Sequence, residues 1–86
     1  MNTTWKKEFE DAFKTTGDTL ESIETTLSAE ELEKEFDNGY GGAEGSEFTA
    51  WSKDWVYFPV VYDGVEWVGY APRNPCEIET EHWGGQ

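Results

Sequence analysis

The spacing of apolar residues changes near the middle of the chain. Before residue 38 they recur every three or four positions, and Trp5, Phe9, Ala12 and Phe13 fall on one helical stripe. Thr4 is placed to cap that helix, and Gly17 to stop it in a left-handed conformation. Leu20, Ile23 and Leu27 continue at helical spacing behind Asp18, which forms a capping box with Glu21. This predicts a second helix, whose end Thr25 and Thr26 weaken. Ser28 and Glu31 spell another box, Leu27 and Leu32 have the spacing of a hydrophobic staple, and Leu32 and Phe36 give an apolar face that ends at Gly39. Two or three short helices are expected.

Four glycines between Gly39 and Gly45 mark a connector over residues 39–46. Beyond it the rhythm is that of strands. The β-branched and aromatic runs Trp55 to Tyr62 and Val65 to Tyr70 are separated by Asp63-Gly64, a pair suited to the positive φ angles of a two-residue hairpin turn. Phe48 to Trp51 predicts a preceding strand, and the alternation from Cys76 to Trp83 a last one. A two-residue turn pairs Tyr62 with Val65, Val60 with Trp67 and Phe58 with Gly69 on one face, expected to be core. The opposite face carries Trp55, Tyr57, Pro59, Val61, Glu66, Val68 and Tyr70, with Tyr57 near Tyr70. It is either an aromatic interface or a face covered by the connector or the C-terminal segment. Pro59 argues for an edge strand or a bulge. The expected fold is α+β in a single domain over 1–86: a helical part (1–38), the connector, and a β part (47–83) of three or four antiparallel strands under the helices.

Composition adds what periodicity cannot. Nineteen acidic and six basic side chains give a net charge of −13, on a chain with five Trp, four Tyr and five Phe. A disordered acidic tail would lack those aromatics. This chain is expected to fold while bearing self-repulsion that costs stability, so the charge is a candidate for function. Bare nucleic acid and anionic membranes would repel it. Lone Cys76 excludes an internal disulfide and suggests a reducing compartment. The basic N-terminal residues have no apolar run behind them, and Trp55 to Tyr62 is far too short to span a bilayer. A cytoplasmic protein is expected.

Enzymatic chemistry has little support. One His, one Cys and one Arg are present, and nothing near Cys76 provides the electropositive setting a reactive thiolate needs. Glu77, Glu79, Glu81 and His82 do not converge on a metal, because alternation sends His82 to the face opposite the glutamates. The Gly-rich connector lacks the Lys and Ser/Thr of a phosphate-binding loop. Arg73 is expected to pair with a local carboxylate or carbonyl. Neither catalytic residues nor a cofactor or metal are expected.

The acids themselves are patterned. Glu31 and Glu35 stand at i, i+4 of the expected helix, with Glu30, Glu33 and Asp37 in adjacent rows and Glu21 and Glu24 at i, i+3. Such like-charged pairs destabilise a helix. Glu77, Glu79 and Glu81 alternate along the expected last strand, about 6.6 Å apart, twice the strand rise. Duplex DNA carries a phosphate about every 3.4 Å along each strand, so rows of this kind imitate a nucleic-acid backbone for a groove lined with Lys and Arg. Solvated faces and salt adaptation would also explain acid excess, but adaptation predicts acid spread over the surface, whereas here it concentrates on residues 18–37 and 77–81.

In size, acidity and scarcity of cysteine, and in the acids Glu21, Glu24, Glu30, Glu31, Glu33, Glu35, Asp37, Glu77, Glu79 and Glu81, the chain resembles the small acidic inhibitors of mobile elements, the anti-CRISPR and antirestriction proteins. The resemblance implies inhibition by occupancy of a basic nucleic-acid-binding effector or nuclease. Carboxylates would stand in for phosphates, and Trp55, Tyr57, Tyr70 or Trp83 would supply aromatic anchors. The protein would act as a monomer or homodimer, in the host cytoplasm if phage-encoded. An immunity protein or antitoxin against a nuclease toxin, and a non-catalytic adaptor dimerising through the aromatic sheet face, are the alternatives.

Overall fold

The computed structural model describes residues 2–37, 39, 44–74 and 79–80. Strand β1 (Asn2–Thr3) leads into helix α1 (Trp5–Thr16), followed by β2 (Glu24–Thr25), α2 (Ala29–Glu33), β3 (Phe36–Asp37), β4 (Ala50–Trp51), β5 (Trp55–Tyr62) and β6 (Val65–Pro72). The architecture is α+β, with every strand pairing antiparallel. A four-stranded sheet runs in the order β2-β4-β5-β6, and β1 pairs with β3 in a second, two-stranded sheet.

Helix α1 follows the expected signals. Thr4 accepts from the Lys7 N–H at 3.1 Å, and Gly17, at φ 82°, donates its N–H to the Phe13 carbonyl. Its stripe of Trp5, Phe9 and Ala12 is buried against Phe48, Ala50, Tyr57 and Val68. The Trp5 ring lies edge-on to Phe48 at 5.0 Å, and its indole N–H donates to the Ser46 carbonyl at 3.0 Å. Buried indoles need such a partner.

The hairpin register is the expected one, from Tyr62 opposite Val65 to Trp55 opposite Pro72. Asp63 and Gly64 both have positive φ, 52° and 83°, as a tight turn matched to strand twist requires. The helix-facing side of the sheet is opposite to the one expected. Tyr57 is completely buried and Val68 nearly so, whereas Trp67 and Phe58 are only half-buried and Tyr62 and Val65 are exposed. Both faces of the hairpin are apolar and aromatic, so a period of two cannot say which meets the helix. On the far face Gly69 lies under Phe58 and Val60, where an added Cβ would come within 2.5 Å of the Phe58 ring.

The segment after Gly17 is not a second helix. Thr19 and Ser22 exchange side-chain and backbone hydrogen bonds in a tight turn, the local competition that makes such residues poor in helix interiors. The Asp18 carboxylate is engaged with Ser22 and Tyr57 rather than with a helix N-terminus. Glu24 and Thr25 then pair with Trp51 and Ala50, so the fourth strand of the sheet comes from a region read as helical. The expected last strand over 76–83 lies mostly outside the described residues, and Glu79 and Thr80, which are described, form no strand.

Helix α2 has the expected capping box at Ser28 and Glu31 but ends at Glu33. Phe36 and Asp37 leave it to pair with Thr3 and Asn2. Pro59 also finds its explanation here. The alternation counted back from the turn places it in a non-hydrogen-bonded pair with Val68, so its missing N–H faces the β4 side. There β4 pairs only with Val56 and Tyr57, and no ladder bond is lost.

Candidate functional site

Exposed carboxylates occur on every part of the described chain. Glu10 and Asp11 lie on α1, Glu21 in the following turn, Glu24 on β2, Glu30 and Glu33 on α2, Glu35 just beyond it, Glu44 on the connector, Glu47 just after it, Asp54 before β5 and Asp63 at the hairpin turn. Lys14 forms an exposed pair with Asp11 at 3.2 Å, of the kind that contributes little. Arg73 donates to the Ser52 carbonyl at 2.9 Å, and its backbone N–H to the Asp54 carbonyl. This is the local structural role expected of it.

The acids do not form the regular rows expected. Because α2 stops at Glu33, Glu35 and Asp37 are not on a helix with Glu31, and the i, i+4 relation between Glu31 and Glu35 has no helical meaning. Glu31 caps α2 by accepting from the Ser28 N–H at 2.8 Å, Glu35 accepts from Asn2 at 3.2 Å, and Asp37 lies half-buried in β3. Glu21 and Glu24 sit in a turn and a strand rather than one helical turn apart. Of the second row, Glu79 is exposed, while Glu77 and Glu81 fall outside the described residues, as do Cys76, His82 and Trp83.

The aromatic site residues are also rearranged. Tyr57 cannot anchor a partner, because it is enclosed by Phe9 and Phe13 of α1, each 5.7 Å away centroid to centroid. Its hydroxyl donates to Asp18 at 2.5 Å and lies 2.8 Å from the Thr16 hydroxyl. A phenol has one proton, so Thr16 is the donor in the second contact. Burial first, and then the Asp18 carboxylate, push the Tyr57 phenol well above its ordinary value of 10.0. Trp55 and Tyr70 are half-buried and stack edge to face at 5.8 Å. The sheet face invoked for an aromatic dimer is therefore the core under α1.

One acid missed by the sequence reading is central to the structure. Glu66 is 2 % exposed, and its carboxylate accepts the backbone N–H groups of Glu44, at 2.7 Å, and Gly45, at 3.0 Å. It thereby fixes the end of the Gly-rich connector to β6. Only its place in an otherwise apolar strand run hinted at this. Gly45 fits because a Cβ there would meet the Trp5 indole at 2.7 Å.

Two hollows lie among the acids. One, of about 280 Å³, is lined by Glu10, Phe13, Asp18, Thr19, Leu20 and Glu21 at the end of α1. The other, of about 150 Å³, lies between the connector and the hairpin, against Gly45, Glu47, Pro59, Val60, Val61 and Glu66. Among the described residues no three His, Cys, Asp or Glu side chains are grouped to hold a metal ion, and no helix is long and apolar enough to cross a membrane. Comparison with family models, with curated proteins and with solved structures finds no match.

Proposed function

We propose that this domain is a stoichiometric inhibitor that occupies the basic nucleic-acid-binding surface of a nuclease or CRISPR effector, its carboxylates taking the place of phosphates. The observation that carries this reading is a net charge of −13 on a chain that folds around an aromatic core and leaves most of its described carboxylates exposed, on helix, strand and loop alike. A chain that needed acid only for solubility would not require so large a self-repulsion; dispersed acid is also what salt adaptation predicts, and displacement of a captured partner by duplex DNA separates the two readings. Mimicry by evenly spaced rows finds no support in α2. The reading is of a dispersed negative field that steers a basic partner and competes with its nucleic acid by salt-sensitive association. Such a partner works in the cytoplasm, the host's if the protein is phage-encoded.

The test is capture on the tagged protein from a native lysate at low salt, with elution in salt steps and identification by mass spectrometry. A basic nucleic-acid-binding protein released between about 0.1 and 0.5 M salt, and displaced by duplex DNA, is the expected result. Partners that resist salt and ignore DNA would refute the proposal.

A further inference from the structure

The described large hydrophobic residues that stay exposed gather at one place. Val61, Tyr62 and Val65 are 41 %, 45 % and 46 % exposed, and all three flank the Asp63-Gly64 turn. They do not share a face: Tyr62 and Val65 lie on the far side of the sheet, whereas Val61 continues through exposed Pro59 along β5 into the hollow beside Glu47. The hairpin reaches this position because β5 and β6 extend well past the end of β4. Interfaces commonly have an apolar centre and a polar rim, and here the rim is acidic. Glu47 and Asp63 are exposed on either side of Val61, and no basic residue lines the hollow. The Glu66 carboxylate faces the same hollow but is held by two backbone N–H groups.

The charge decides the occupant. A second copy would bring another −13 against the same acidic rim, and an anionic lipid surface would be repelled likewise. A basic protein segment is complementary in both respects. Resting on the inhibitor reading above, we infer that the tip of the β5–β6 hairpin is the docking anchor, and that it takes an extended segment of a basic protein in which aliphatic side chains alternate with Lys or Arg. The aliphatic groups meet Pro59 and Val61, while the cations reach Glu47 and Asp63. The dispersed acids elsewhere accelerate encounter, and the tip holds the partner once it arrives.

Two blocked hexapeptides separate the terms, one alternating Val and Lys and the other alternating Gly and Lys, each titrated into the protein at low salt while backbone amide shifts are followed. The Val peptide is expected to bind about tenfold more tightly, the gain from partly burying its valines against Pro59 and Val61, with shifts centred on Glu47, Val60 and Val61. In the variant Val61→Thr, checked to have an unchanged melting temperature, that preference falls to about threefold or less while the weaker Gly peptide binds as before. Equal binding of the two peptides, or shifts centred on Glu30 to Glu35, would overturn the anchor and leave the acidic-surface reading standing. Undiminished preference for Val in the variant would overturn the anchor too. Binding of neither peptide would sink both.

Discussion

Single residues set the chemistry of the interior. The Tyr57 hydroxyl links Asp18 and Thr16 across the end of α1. Tyr57→Phe keeps the ring and leaves a carboxylate oxygen without its donor, at a cost of about 1–3 kcal/mol, measurable by urea unfolding. The sign of the pH effect follows from the raised phenol. The folded chain holds this proton more tightly than the unfolded chain, so the contribution is complete below pH 10 and declines as pH rises above it. The melting temperature of the native protein should therefore fall more steeply above pH 10 than that of Tyr57→Phe. Glu66 works differently, as an acceptor for two backbone amides. Glu66→Ala should cost about 2–4 kcal/mol, Glu66→Gln less because one acceptor oxygen remains, and amide exchange at Glu44 and Gly45 should accelerate in both. In a chain in which acids are everywhere, the only sequence hint of this burial was the place of Glu66 in an otherwise apolar strand run.

At the scale of elements, local signals were read well and long-range ones were not. The ends of α1 depend on Thr4 and Gly17, and the hairpin on Asp63-Gly64, all within a few residues of what they control. The Ser28 box likewise formed, and Ser28→Ala should cost about 1 kcal/mol, read as a lower denaturant midpoint at unchanged slope. The length of α2 is a different matter, because Phe36 and Asp37 are claimed by β1, more than thirty positions away. The spacing of Leu20, Ile23 and Leu27 suits a helix, yet the side chains of Thr19 and Ser22 and the pairing of Glu24 with Trp51 prevail. Which face of the hairpin lies inside was not legible at all, since Tyr57, Val68 and Tyr70 on one side match Phe58, Val60 and Trp67 on the other. Overpacking the far face tests the corrected assignment. Gly69→Ala drives a methyl group into Phe58 and Val60, and a loss of about 1–3 kcal/mol is expected.

For the whole molecule, charge was the legible part of the candidate site and its placement was not. The acids are spread over turn, strand, helix and connector rather than ruled into rows, so no single pair should dominate long-range attraction. Glu30→Lys with Glu33→Lys removes four units of negative charge from exposed positions that cap nothing. The variant should be as stable as the native protein or slightly more so, and should associate more slowly with a basic partner at low salt. Glu31→Lys would confuse the two effects, because it also breaks the cap. Moderate salt should raise the melting temperature of the native protein by screening its self-repulsion, and should raise that of the variant less. Pro59 adds something of a different kind. A ribbon whose edge runs on past β4, with exposed apolar residues along it, invites strand-by-strand stacking of molecules into fibres. On its β4-facing margin this ribbon has a residue that cannot donate to an incoming strand, at a position where the native ladder needs no donor. Replacing Pro59 with Val would cost the fold little and could convert a discrete binding tip into a template for polymerisation, so the proline works as an insulator.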